Sequence, residues 1–122
     1  MSDSFDLLIR NLPLNFGEPE KIIEETLIQV RKDFALQGIE LQLDELVRSN
    51  LVKSFAEVLS KCDFLHDHKL PALLYQLDLN ESKISRKLTS AKPESIYIVL
   101  SESILRRCFE KVSWRKKFRS EK

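Results

Sequence analysis

Between residues 19 and 37 the apolar side chains Ile23, Leu27, Val30 and Phe34 follow one another at spacings of four, three and four. Those spacings trace one face of an α-helix. Pro19 suits a first helical turn, Glu18 and Glu20 sit where the helix dipole favours anions, and Gly38 supplies a stop signal. The next stretch, Ile39 to Leu43, alternates apolar and polar, the period of a strand. A lone strand has nothing to pair with, so it reads as an extended connector; a small two-stranded ribbon with the N-terminal arm is the alternative.

A second helix is expected from an N-cap at Asp44 to about Lys61, with Leu46, Val47, Leu51, Val52, Phe55, Val58 and Leu59 as its apolar stripe. A third, short helix starts near Pro71 and buries Leu70, Leu73, Leu74 and Leu77. Asn80 then caps a fourth, from Glu81 to about Thr89, with Leu79 and Ile84 placed as a hydrophobic staple. The last helix opens at Pro93, followed by Glu94, and carries Ile96, Leu100, Ile104, Cys108 and Val112 at spacings of four. Tyr97, Leu105 and Phe109 widen that stripe, and the helix extends to about Phe118. These faces place Leu51, Phe55, Leu74, Leu77, Leu100 and Ile104 in the core.

Residues 1–18 follow no clear period. Phe5, Leu7, Leu8, Ile9, Leu12, Leu14 and Phe16 are apolar, while Pro13 and Gly17 break regular structure. The cost of leaving so many apolar groups in water favours an arm packed on the helices; docking on a partner is the alternative.

Composition narrows the fold class. The chain has 122 residues, room for one domain, with 43% hydrophobic and 32% charged residues. Two glycines and four prolines are too few for the turns of an all-β domain. The expected architecture is a single all-α domain over residues 1–122, a small bundle of four to five helices, with 1–18 as arm and 119–122 as tail. No run of 18 apolar residues marks a membrane span, and the acidic start Met1 to Asp6 lacks the basic region of a signal peptide. A cytoplasmic location follows as the expectation, with Cys62 and Cys108 as reduced, buried thiols.

Charge is unevenly distributed. Residues 1–60 hold six Lys/Arg and eleven Asp/Glu, a balance of −5; residues 61–122 hold fourteen and eight, a balance of +6. Near the C-terminus Arg106, Arg107, Lys111, Arg115, Lys116, Lys117, Arg119 and Lys122 lie on or just past the last helix, with Trp114 and Phe118 four apart among them. Cations at a helix C-terminus are favoured by the dipole, each by roughly 0.3–1 kcal/mol, which by itself accounts for such a run. The functional alternative is contact with a partner or an anion through Arg106, Arg107, Lys111, Trp114, Arg115, Lys116, Lys117 and Phe118. A near-neutral total charge of +1 weighs against a dedicated nucleic-acid binder. The opposite balances predict that the basic helix folds back on the acidic Glu18–Glu25 region of its own chain or of a second copy.

Catalytic chemistry has little support. Cys62, His66 and His68, with Asp63 and Asp67, form one cluster of metal-ligand types, but no further Cys pair or His-Glu-x-x-His motif completes a zinc site. The cluster reads as a helix–helix corner, and no metal is expected. Glu24/Glu25 and Asp44/Glu45 are adjacent in sequence and diverge on helices. Glycine-rich phosphate loops, nucleophile elbows and kinase signatures are absent from the sequence. The chain is therefore expected to be no enzyme and to need no cofactor.

The segment Leu73-Leu74-Tyr75-Gln76-Leu77-Asp78-Leu79-Asn80-Glu81-Ser82-Lys83-Ile84, followed by a long helix ending in Trp114-Arg115-Lys116-Lys117-Phe118, resembles small helical bacterial proteins of uncharacterised function. The resemblance covers the last half of the chain and implies a helical fold and a bacterial cytosolic setting, without an activity or functional residues. The function expected from all of this is a non-enzymatic protein-interaction or accessory module, acting in a complex or by self-association. Nucleic-acid binding through the basic C-terminal helix is the alternative.

Overall fold

The computed structural model of the protein describes residues 19–43, 46, 50–62, 69–77, 79, 81–90, 92 and 96–120. Among them are five α-helices and no strand: α1 (Pro19–Ala35), α2 (Leu51–Cys62), α3 (Lys69–Gln76), α4 (Glu81–Ser90) and α5 (Ile96–Ser120). The expected all-α small bundle is what the chain forms. The expected roles of residues 1–18, Asp44, Asn80, Pro93 and the His66/His68 segment lie outside the described residues.

Helix α1 begins at Pro19, with Glu20 in its first turn. Its buried face holds Ile22, Ile23, Thr26, Leu27, Val30, Asp33 and Phe34. The C-terminus closes in a Schellman motif: Ile39 N–H donates to the Phe34 carbonyl at 3.0 Å and Gly38 N–H to the Ala35 carbonyl at 2.9 Å. Gly38 sits at φ +73°, the left-handed region that favours glycine, and the motif ends with buried Phe34 and Ile39. Beyond it the chain is extended. Ile39, Leu41 and Leu43 are buried while Glu40 and Gln42 are exposed, so the period-two pattern marks a connector with one face on the core.

The described part of helix α2 lies beyond the expected Asp44 cap, which falls outside the described residues. Leu46 is outside any helix, its N–H reaching back to the Leu43 carbonyl at 3.3 Å, and the described helix runs from Leu51. Half-buried Leu46 packs against the core as its place in the apolar stripe predicts, but from outside any helix. From Leu51 onward the stripe is as expected, with Leu51, Val52, Phe55 and Leu59 buried and Lys53, Glu57 and Lys61 exposed. Helix α3 takes Pro71 in its first turn, where the missing N–H has no helical partner to lose. After it, the Leu79 N–H bonds the Leu74 carbonyl at 2.9 Å, and α4 follows with Ile84 buried.

Helix α5, 25 residues long, is the spine, and it packs most extensively on α2 and α1. Leu100, Ile104, Leu105, Cys108, Phe109 and Val112 are buried, a stripe wide enough to meet helices on more than one side. All six core residues expected from the sequence are buried: Leu51, Phe55, Leu74, Leu77, Leu100 and Ile104. Phe34 of α1 and Phe55 of α2 meet edge-to-face with centroids 6.2 Å apart, a geometry that adds about 0.5–1.5 kcal/mol to their burial. Ser101 spans α5 and α2, its hydroxyl donating to the Val52 carbonyl at 2.8 Å. No described helix is long and apolar enough to cross a membrane.

Candidate functional site

On the C-terminal half of α5, residues 107, 111, 114 and 115 fall at helical positions i, i+4, i+7 and i+8, so Arg107, Lys111, Trp114 and Arg115 share one side. That side lies along α1. Lys111 meets Asp33, and one turn further on Arg115 meets Gln29, so the two helices run antiparallel. The basic helix does fold back on α1. Its described contacts fall at Gln29 and Asp33, one and two turns beyond the expected Glu18–Glu25 region.

Asp33 is the centre of this seam. It is only 4% exposed, yet it lies on the apolar face of α1 because the three-residue step from Val30 returns it to the core side. Its carboxylate is surrounded by donors. Lys111 Nζ lies 3.1 Å and Gln29 Nε2 3.2 Å from Oδ2, and the Cys108 thiol donates to the same oxygen at 3.6 Å. Gln76 Nε2 reaches Oδ1 at 3.4 Å and the Asp33 carbonyl at 2.9 Å. Gln37 then donates to Gln76 Oε1, which holds that amide in place. One buried charge therefore joins α1, the end of α3 and α5. Such a carboxylate is tolerated only because its charge is matched and its oxygens are hydrogen-bonded.

The network determines what Cys108 can do. Burial pushes its thiol well above the ordinary thiol pKa, the neighbouring Asp33 charge pushes the same way, and Lys111 offsets part of the rise. Cys108 is a buried, free thiol that acts as a weak donor, not a thiolate nucleophile or metal ligand at neutral pH. The side chains of Cys62, His66 and His68 lie outside the described residues.

The remaining candidates also have partners in the chain. Arg107 donates through Nε to the Leu77 carbonyl at 2.8 Å and through a terminal nitrogen to Glu110 at 3.0 Å. Arg106 pairs with Glu102 at 3.1 Å, and Arg115 donates to Gln29 Oε1. Lys116, Lys117 and Phe118 continue α5, and their side chains lie outside the described residues. Gln29, Arg107, Lys111, Trp114 and Arg115 line a shallow recess of about 540 Å³, and Trp114 stands 55% exposed at it. The recess offers cationic donors, an amide and an indole face, a set suited to an anionic or aromatic group.

Asp33, Gln29, Gln37 and Gln76 were not singled out from the sequence. A charged residue on the Ile23–Phe34 stripe was the available signal for Asp33. Nothing local marks the glutamines, since Gln76 stands 43 residues from the carboxylate it bonds. In comparisons with known proteins the chain matches no family model, no curated sequence and no solved structure. The likeness of its last half to bacterial helical proteins rests on the quoted residues alone.

Proposed function

We propose that the chain is a non-enzymatic protein-interaction module of the cytoplasm, which docks a partner chain, its own copy or another protein, on the Trp114 face of α5. The carrying observation is the half-exposed indole of Trp114 set among Arg107, Lys111 and Arg115. Trp and Arg are the residue types that dominate interface energetics, because each combines a large rigid contact area with directional donors. Here the cations beside the indole are held by Leu77, Asp33 and Gln29, so a partner meets prearranged walls and loses less side-chain entropy on binding.

The same indole among cations could stack a nucleobase, which is what favours the nucleic-acid alternative. Against it, Lys111 and Arg107 already have acceptors within the chain, and a phosphate would compete with them. The test is affinity capture from the host with the intact chain and with Trp114→Ala, alongside sedimentation equilibrium of both. The expected result is a stoichiometric protein partner, or a concentration-dependent dimer, that is lost in Trp114→Ala while the melting temperature is unchanged. Recovery of nucleic acid instead, released by moderate salt, would reverse the assignment.

A further inference from the structure

The polar seam between α1 and α5 is built as two rungs. Asp33 and Lys111 form one, at 3.1 Å, and Gln29 and Arg115 form the other, one turn along. Residues 29 and 33 are four apart on α1, and residues 111 and 115 are four apart on α5, so the rungs stand one above the other. A third bond joins them along α1, where Gln29 Nε2 donates to Asp33 Oδ2 at 3.2 Å.

A side-chain amide has two unlike ends: its NH2 group donates and its oxygen accepts. A carboxylate paired with a lysine only accepts, so Asp33 admits Gln29 with the NH2 end towards it. The amide oxygen must then point the other way, where it accepts from the Arg115 guanidinium, a group that only donates. With the amide reversed, two acceptors would meet at Asp33 and two donors at Arg115. The buried carboxylate therefore fixes the polarity of half-buried Gln29, and through it the seat of exposed Arg115. Gln76 obeys the same rule on the α3 side: its NH2 group faces Asp33 Oδ1, and its oxygen accepts from Gln37.

We propose that Asp33 is a positioning residue of the Trp114 recess and that it acts on Arg115 through the amide of Gln29. Lys111 takes its place by direct contact with the carboxylate, and Arg115 takes its place at second hand, so one buried charge sets two walls of the recess. The helix dipole favours a cation near the end of α5 but gives it no direction; the oxygen of Gln29 does. The importance of this device rests on the reading of the recess as the docking face, whereas its test needs no partner.

The test follows the Arg115 guanidinium in the full chain by nitrogen-15 NMR, with its signals assigned by their disappearance in Arg115→Lys. A guanidinium held through one terminal nitrogen rotates slowly and shows separate Nη signals, and a solvated one shows a single averaged signal. Separate signals are expected in the intact chain. In Gln29→Met they should merge, rotation being faster by about tenfold, with helix content by circular dichroism unchanged. Asp33→Asn should merge them too, although Gln29 is intact. Gln29→Glu/Asp33→Asn should separate them again, because a carboxylate at position 29 accepts from Arg115 without being oriented. If Asp33→Asn alone does not fold, Asp33→Asn/Lys111→Met removes the charge together with its counter-charge and is expected to show the merged signal. The proposal is overturned by an averaged signal in the intact chain, by separate signals persisting in Gln29→Met or in the Asp33 variants that keep Gln29, or by failure of Gln29→Glu to restore them. A Trp114 face that captures no partner leaves this result standing, and failure here leaves capture through Trp114 untouched.

Discussion

Where α5 meets α2, around Ser101, the neighbouring side chains Leu100, Ile104 and Leu105 are apolar and buried, and a hydroxyl bond to Val52 spans the seam. Two turns further along, where α5 meets α1, the same helix buries Cys108 and sends Lys111 to a carboxylate that Gln29 and Gln76 also hold. The first seam is held by removal of apolar surface from water, which is strong but has no direction. The second is held by donors that must point at two oxygens, so it constrains how far α5 can slide or rotate along α1. A single helix thus draws stability from one end of its packing and register from the other. Near the polar seam, the bonded cations hold the exposed Trp114 face in shape.

Breaking the apolar seam should produce the largest effect. Phe55, fully buried and in edge contact with Phe34, should lose about 3–5 kcal/mol on replacement by Ala, measured by urea denaturation. A loss below about 1 kcal/mol would move the centre of the core away from α2.

The polar seam should respond differently. Lys111→Met leaves the Asp33 carboxylate buried without its counter-charge and should cost about 2–4 kcal/mol, on the low side because the lysine side chain is itself 25% exposed. The double variant Asp33→Asn/Lys111→Met should recover much of that loss, since the neutral amide needs no cation. A double-mutant cycle with additive losses would show that the two side chains are not coupled.

The raised pKa of Cys108 sharpens the same comparison. An acid whose pKa is higher in the folded state releases its proton first in the unfolded chain, so stability falls as pH rises. The loss begins near the ordinary thiol value of 9.0 and approaches about 1.4 kcal/mol per pH unit beyond it. Denaturation midpoints at pH 8 and pH 10, compared with Cys108→Ala, isolate this contribution, because the other alkaline groups are common to both proteins. Equal slopes for the two would mean that the thiol is not held protonated by the fold. The smallest effect belongs to Ser101→Ala, about 0.5–1.5 kcal/mol, because the apolar side chains around it keep the α2 seam closed. A loss comparable to that of Phe55→Ala would give the hydroxyl a role in register like that of Asp33.

Much of the fold was legible in the chain. The Ile23–Phe34 stripe, the Gly38 stop, the Leu79/Ile84 pair before and inside α4, and the four-residue steps of α5 all report local geometry, which neighbouring residues encode among themselves. The role of Leu46 was legible only in part: it packs against the core as its stripe predicted, yet from outside any helix, because apolar spacing reports burial and not hydrogen bonding. The candidate site was legible in part. Arg107, Lys111, Trp114 and Arg115 stood out as a basic aromatic run and do share one recess, but the run did not reveal which groups they face.

That division has one physical cause. Helix positions, their apolar faces and the bundle class depend on side chains three and four apart, so the sequence by itself determined them. The long-range bonds that Gln76, Cys108 and Lys111 make to Asp33 join side chains 43 to 78 residues apart, and the Trp114 recess has walls on separate helices. Their hydrogen bonds and shared walls exist only after burial of the apolar stripes has chosen which helices lie side by side. Whether Lys111 is a solvated end-of-helix cation or the counter-charge of a buried carboxylate was therefore decided by tertiary packing: the same ammonium group would have little effect in water, and beside Asp33 it makes a buried charge tolerable.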